Sequence, residues 1–142
     1  GFDLNDERRY ASNVFATILG WNLSSRLFQN IREKQWLCYY IRASHMTSQD
    51  YGVFMIRSGI DKTRFEGWVE KIFEEIKKIA NGEFSEEEFK NAIWYSVGQY
   101  LIYKEIETLE EMVKKYENLT IDEIKDIAKY LSDENLYMYY IC

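Results

Sequence analysis

The sequence of 142 residues contains no proline, one histidine and two cysteines. Without proline, no helix is broken by a residue that lacks its backbone N–H. The single histidine, His45, cannot complete H-E-x-x-H or H-x-x-E-H, and Cys38 and Cys142 form no C-x-x-C pair. We therefore expect no zinc site within this chain, and His45 is predicted to lie in a loop. A Ser-His-Asp triad is equally unsupported, because nothing marks His45 as its base.

Basic stripes and long apolar runs are also missing. The net charge is −6, which argues against binding to a nucleic-acid backbone. No apolar run is long enough to span a bilayer, and no signal-peptide pattern opens the chain, so no membrane association is expected. Two isolated cysteines are typical of reduced thiols, which indicates a cytoplasmic protein.

What is present fits one globular domain, predicted to cover residues 1–142. Hydrophobic residues make up 46% of the chain and aromatic residues 17%, which indicates a bulky core or a large buried interface. The domain is expected to be a piece of a longer protein. A further strand is expected upstream of Gly1.

Helical periodicity and start signals recur along the chain. Ser24 is predicted to cap a short second helix, and S/T-x-x-E capping boxes are predicted at Thr63, Ser85 and Thr120. The predicted helices cover residues 6–19, 24–34, 63–80, 85–101, 105–116 and 120–131. Gly20 and the pair Asn81-Gly82 are predicted to end the first and third.

Strand composition occurs in three stretches, at residues 37–44, 51–60 and 136–142. The first two flank a polar connection and are predicted to form an antiparallel hairpin. Because strands and helices are segregated rather than alternating, the predicted class is α+β, with helices packed on one face of a mainly antiparallel sheet.

Arg32 and Tyr39 stand on either side of the predicted junction between the second helix and the first strand. An arginine can hold a carboxylate or carbonyl through its planar guanidinium, and a tyrosine hydroxyl can donate to a developing oxyanion. Two other interpretations remain open: Arg32 can bind carbonyls at the end of its own helix, and Tyr39 can be an ordinary strand residue with a solvated hydroxyl.

The stretch "ILGWNLSSRLFQNIREKQWLCYYIRAS" resembles the signature of the second, zinc-free half of the insulinase/pitrilysin-type (M16) metallopeptidases. The matching positions are Ile18–Gly20, Ser24–Phe28, Arg32–Lys34, Leu37 and Tyr39. The hairpin and helices downstream follow the order of the same family, so the resemblance covers nearly the whole chain. Trp21 and Asn22 depart from it, since the family commonly has small residues there.

The resemblance implies an M16 peptidase-like (LuxS/metallohydrolase-like) domain of the C-terminal, non-zinc-binding type. Zinc would be held by H-x-x-E-H in a zinc-binding M16 domain, in cis or in trans, and a homo- or hetero-dimer is one such arrangement. A peptide substrate would bind in a chamber between the halves. Arg32 and Tyr39 would be the catalytic residues that position substrate and support the transition state. The S-S-R-L-F motif would bind substrate through Ser24, Ser25, Arg26 and Phe28.

Three functions follow as hypotheses. The first is the substrate-binding half of a metalloendopeptidase that is inactive without its zinc half. The second is an inactive structural or core subunit of an M16-like assembly, because relatives of this fold serve in that way. The third is a separate ligand-binding module in which Arg32 holds an acidic group.

Overall fold

The computed structural model describes residues 1–34, 38–100 and 108–132, with the backbone alone at Tyr100. Two strands, β1 (Tyr40–Thr47) and β2 (Gly52–Gly59), pair antiparallel along their full length. The predicted hairpin is therefore confirmed. The predicted third strand, residues 136–142, lies outside the described residues.

Within the described residues, five α-helices accompany the hairpin. They are α1 (Arg8–Ala16), α2 (Phe65–Ala80), α3 (Glu86–Tyr100), α4 (Leu109–Glu117) and α5 (Ile121–Ser132). A π-helical turn (Thr17–Trp21) continues α1, and a short π-helix (Phe28–Glu33) precedes β1.

The first helix begins at Arg8, later than the predicted residue 6, and ends in a wider turn. Asp6 Oδ1 accepts the backbone N–H of Arg8 at 2.9 Å in the turn that leads into the helix. Gly20 has non-helical backbone angles, and a Cβ atom at this position would lie 2.8 Å from the backbone nitrogen of Ala43. The missing side chain at Gly20 thus allows the end of α1 to lie directly against β1.

Two of the three predicted capping boxes are present. They are formed by the Ser85–Glu88 and Thr120–Glu123 pairs. In each pair the glutamate carboxylate accepts the backbone N–H of the serine or threonine, and the serine or threonine hydroxyl accepts the backbone N–H of the glutamate. The box predicted at Thr63 is wrong. Asp61 accepts the backbone N–H of Thr63 at 2.9 Å and opens a 3₁₀ turn, so α2 begins only at Phe65.

A further capping box lies at Thr108 and Glu111, which the sequence analysis missed. It starts α4 at Leu109, later than the predicted residue 105; residues 105–107 lie outside the described part of the chain. The Thr108 hydroxyl accepts the Glu111 N–H at 3.4 Å, and Glu111 accepts the Thr108 N–H at 3.3 Å.

The core lies between the helices and one face of the hairpin. In β1, Ile41 and Ala43 are buried, whereas Tyr40 and Arg42 on the opposite face are exposed. Helix α1 contacts β1, α3 and α5, and α5 also packs on α2. Helices on one face of an antiparallel sheet confirm the predicted α+β class. The largest fully buried hydrophobic side chains are Phe15, Leu19, Leu27, Ile31, Ile76, Ile79, Met112 and Ile124.

Candidate functional site

The segment with the predicted site residues is anchored by two fully buried side chains, Leu27 and Ile31. Residues 26–27 are helical and continue into the Phe28–Glu33 π-helix. Since side chains four positions apart share a helix face, burying Leu27 and Ile31 leaves the next pair, Phe28 and Arg32, on the outer side. The core contacts of this helix therefore fix the position of Arg32.

Asn22, rather than Ser24, organises the turn that opens this segment. Asn22 Oδ1 accepts the Ser24 N–H at 2.9 Å, and the Asn22 carbonyl accepts both the N–H and the hydroxyl of Ser25. The predicted Ser24 cap is wrong, because an asparagine side chain forms this local turn first. Ser25 is buried and Ser24 is exposed.

Arg26 joins the segment to α2 and α3. Its guanidinium forms a two-pronged contact with Glu88, Nε to Oε1 at 3.0 Å and Nη2 to Oε2 at 3.2 Å, and also donates to the Glu83 carbonyl. Nη1 lies 3.7 Å from Oε2 of Glu75, which is 3% exposed and binds Lys78 at 2.7 Å. Every branch of the Arg26 guanidinium is thus engaged by the protein.

Glu88 remains ionised in this cluster. Its partial burial would raise its pKa, but the hydrogen bonds from Arg26 and from the Ser85 N–H outweigh that effect, and the pKa lies below its ordinary value. One carboxylate therefore caps α3 and binds the arginine of the preceding segment.

Arg32 and Tyr39 do meet, through the guanidinium and a backbone carbonyl. Arg32 Nε donates to the Tyr39 carbonyl oxygen at 2.9 Å. Arg32 Cζ lies 4.7 Å from the centroid of the Phe28 ring, and Nη1 lies 3.6 Å from Glu33 Oε1. The Arg32 side chain remains 37% exposed. The contact joins the end of the π-helix to the start of β1.

Tyr39 is held by its backbone and exposed by its side chain. Its N–H donates to the Gly59 carbonyl at 2.7 Å, which extends the hairpin by one bond, and the residue is 76% exposed. The neighbouring Tyr40 ring covers Gly59, where a Cβ would lie 2.6 Å from a ring carbon. Within the described structure the Tyr39 hydroxyl makes no hydrogen bond.

The prediction that His45 lies in a loop is wrong: His45 lies in β1, opposite Phe54. Its Nε2 accepts the Phe2 N–H at 3.3 Å, so the proton lies on Nδ1, which is 3.2 Å from Asn13 Oδ1. Asn13 in turn donates to the Tyr116 hydroxyl at 3.2 Å. Burial, together with the positive chain N-terminus and Arg9, lowers the pKa of His45 to about 4. The ring is half-buried and neutral.

The described side chains do not form a zinc site. In the parts of the chain that the structure describes, no three His, Cys, Asp or Glu side chains come together as metal ligands, and both nitrogens of His45 are engaged. The same parts contain no helix with the length and hydropathy needed to cross a membrane.

The outer face of the hairpin carries two arginines that the sequence analysis did not single out. Arg42 and Arg57 are register partners across β1 and β2. Arg42 Cζ lies 3.7 Å from the Trp21 ring centroid, and Arg57 Nε lies 2.7 Å from Met55 Sδ. Strand alternation could have revealed them, since each stands between core-facing residues in its strand.

Comparisons with known proteins agree with this architecture. A family model described as the peptidase M16 inactive domain matches residues 1–96. An uncharacterized zinc protease of Streptomyces coelicolor is 24% identical over 147 aligned residues, which cover 91% of this chain and 32% of that protein.

Two solved structures share the fold. A conserved protein from Enterococcus faecalis has a TM-score of 0.79 and 27% identity, covering 90% of this chain and 34% of that one. The peptidase M16 inactive domain from Pseudomonas fluorescens has a TM-score of 0.75 and 20% identity, covering 92% and 35%. The chain spans about a third of the length of these proteins. Since the family model matches more than half of the chain, the chain belongs to the peptidase M16 inactive-domain family.

Proposed function

We propose that this domain is the substrate-binding, zinc-free half of an M16-type metalloendopeptidase and closes a chamber over a zinc site in another domain or subunit. Membership of the inactive-domain family supports this, as does the similarity to a protein named as a zinc protease. The expected partner is a zinc-binding M16 domain in cis or in trans, in a homo- or hetero-dimer or in one longer chain. Zinc bound there would supply the hydrolytic chemistry.

The arrangement of Arg32 and Tyr39 is the observation that carries the proposal. Arg32 uses Nε to hold the Tyr39 carbonyl, and neither terminal nitrogen of its guanidinium has a close hydrogen bond to a described residue. Tyr39 has a fixed backbone and an exposed hydroxyl that bonds to none of the described residues. These groups can donate to a peptide carbonyl and stabilise the negative charge that develops on it during hydrolysis. We therefore assign substrate positioning to Arg32 and charge stabilisation to Tyr39.

The substrate contacts predicted for Ser24, Ser25, Arg26 and Phe28 remain predictions. Ser24 is exposed, and Phe28 lies beneath the Arg32 guanidinium, so both can border a peptide held at Arg32. Ser25 and Arg26 are bound to Asn22, Glu83 and Glu88, and those contacts favour a supporting role for these two.

Tyr39→Phe tests the assignment in the complete zinc-loaded enzyme. Losing one hydrogen-bond donor to the developing charge should lower kcat about 10- to 100-fold, with zinc content and unfolding free energy unchanged. Tyr51→Phe is a matched control, because Tyr51 is also exposed (63%) and lies beside the hairpin turn. Unchanged turnover in Tyr39→Phe would show that the assigned catalytic role is wrong.

A structural role in an M16-like assembly is the second candidate, favoured by an apolar groove between α3, α4 and the start of α5. The groove has a volume of about 370 Å³, and Trp94 at its edge is 72% exposed. Its apolar lining consists of Phe89, Ile93, Val97, Val113 and Ile121. We propose that the zinc-binding M16 domain binds in this groove, because about two thirds of each relative lies beyond the part that matches this chain.

Sedimentation analysis of Trp94→Gln tests the groove. Removing the exposed indole should weaken association of the two halves about tenfold or more, as expected for an aromatic residue at an interface. The structural candidate replaces the catalytic one if assembly depends on Trp94 while the zinc-loaded protein hydrolyses no peptide. Unchanged association would remove the groove from the interface.

A cytoplasmic location belongs to the same proposal. Cys38 is a free, buried thiol, and burial raises its pKa above the ordinary value despite a hydrogen bond from Ser58, so it stays protonated and unreactive. This is the state expected of a structural cysteine in a reducing compartment.

A further inference from the structure

The outer face of the hairpin places two positive charges directly opposite each other. Arg42 and Arg57 are Cα partners in the antiparallel ladder, and both are exposed. Side chains at such partner positions lie on the same face, about 5 Å apart at their Cβ atoms. Like charges in this arrangement destabilise a sheet, so the pair needs an explanation other than folding.

Neither of these charges has an acidic partner among the residues that the structure describes. No carboxylate forms an ion pair with Arg42 or Arg57 in the described parts of the chain. Between Tyr40 and Gly59 the one acidic residue is Asp50, which lies in the turn. The chain as a whole has a net charge of −6, so this face reverses the sign of the rest of the molecule.

Each guanidinium group contacts a neighbouring side chain of the protein and is otherwise exposed. The Trp21 ring lies 3.7 Å from Arg42 Cζ, and the Met55 sulfur contacts Nε of Arg57. The Arg42 side chain has no hydrogen bond to a described residue, and the terminal nitrogens of Arg57 have none. Two fixed arginines with unused planar donors match the geometry of a carboxylate.

The pair lies within reach of the proposed substrate site. Arg42 follows Tyr39 by three residues, so their Cα atoms are at most about 10 Å apart. A peptide bound in an extended conformation advances by the same distance in three residues. A peptide held at Arg32 and Tyr39 would therefore bring a side chain about three positions away to the two arginines.

We propose that Arg42 and Arg57 form a subsite for an acidic side chain, Asp or Glu, of an extended peptide substrate. This inference rests on the proposed function and adds a substrate preference to it. The arginines bind and orient the peptide and take no part in bond cleavage.

Binding of paired peptides to the complete protein, with zinc removed by chelation so that no peptide is cut, tests the subsite. The peptides are fluorescently labelled and come in pairs that differ only by Glu or Gln at one position, and successive pairs place this residue at successive positions of the peptide. The affinities within each pair are compared by fluorescence anisotropy. At one position the Glu peptide should bind about fivefold more tightly than the Gln peptide. The preference should fall to about twofold or less at about 1 M salt, where the screening length is about 3 Å.

Variants separate the arginines from a general charge effect. Arg57→Gln and Arg42→Gln should each reduce the Glu preference to near one and leave binding of the Gln peptide unchanged. Arg57→Lys should keep part of the preference. Lys77→Gln, at an exposed position on α2, removes one charge elsewhere and should keep all of it.

Each failure points to a different error. Equal binding of Glu and Gln peptides at every position, or a preference that survives both glutamine variants, overturns the subsite. If the Gln peptide then still binds and its turnover still depends on Tyr39, the proposed function stands alone. If no peptide binds the complete protein, both are overturned.

Discussion

Arg26 and Arg32 lie six residues apart, at opposite ends of one short helical segment, and have different surroundings. Arg26 is 14% exposed and engages Glu88, Glu75 and the Glu83 carbonyl. Arg32 is 37% exposed, holds one backbone carbonyl and lies over an aromatic ring. The difference teaches that the same residue type fastens the segment to the domain at one end and, at the other, keeps its terminal nitrogens without a close hydrogen bond to the described residues.

Arg26→Met should give the largest loss of stability. Without the guanidinium, the buried Glu75 keeps Lys78 alone as an ion-pair partner among the described residues, and Glu88 loses its two-pronged contact. We expect the free energy of unfolding to fall by about 2–3 kcal/mol in urea denaturation. Arg32→Met is the matched control and should lose less than about 1 kcal/mol. Equal losses in the two variants would contradict the division between a fastening and a presenting arginine.

His45 extends the comparison to a second polar group whose hydrogen bonds are engaged, here on a half-buried ring. Its folded pKa, about 4, lies below the ordinary 6.5, so the unfolded chain binds more protons between these values and stability falls as pH drops through this window. Lowering the pH from 7 to 5 should therefore reduce the free energy of unfolding by about 2 kcal/mol through this histidine. His45→Gln, which keeps an acceptor and a donor, should remove that part of the acid sensitivity in urea titrations. An unchanged pH dependence would mean that the ring is not buried neutral.

Arg57→Thr should change the free energy of unfolding least of these variants, and it should stabilise the fold. Removing one of two facing like charges and introducing a β-branched residue should raise the free energy of unfolding by about 0.5 kcal/mol. Thermal or urea unfolding measures it, with Lys77→Thr as a control for net charge. A clear destabilisation would show that Arg57 has a structural partner and would place it with Arg26.

The sequence predicted those parts of the fold that depend on local pattern. The apolar stripes of α2, α3 and α5 and the boxes at Ser85 and Thr120 use contacts within a few residues, and all are present. The box at Thr63 failed because Asp61, two residues earlier, accepts the Thr63 N–H and starts a 3₁₀ turn.

The parts that depend on distant contacts were not predictable in this way. The position of His45 depends on Phe2 and Asn13, which are 43 and 32 residues away, and the strand continues through polar residues to Thr47. The ion pair of Arg26 joins it to Glu88 across 62 residues. For Arg32 and Tyr39, physical reasoning left alternatives open, and the family resemblance singled the pair out; the structure adds that the arginine contacts the tyrosine carbonyl.

The central claim is that Arg32 and Tyr39 act as one unit: Arg32 positions the substrate and holds the Tyr39 carbonyl, and Tyr39 stabilises the developing charge. It is tested most directly by kcat of Arg32→Ala, Tyr39→Phe and the double variant in the complete zinc-loaded enzyme. Each single variant should lose at least about tenfold in kcat. Because Arg32 holds the Tyr39 backbone, kcat of the double variant should lie within about threefold of kcat of Arg32→Ala. Losses that multiply in the double variant, or no loss in either single variant, would contradict the account.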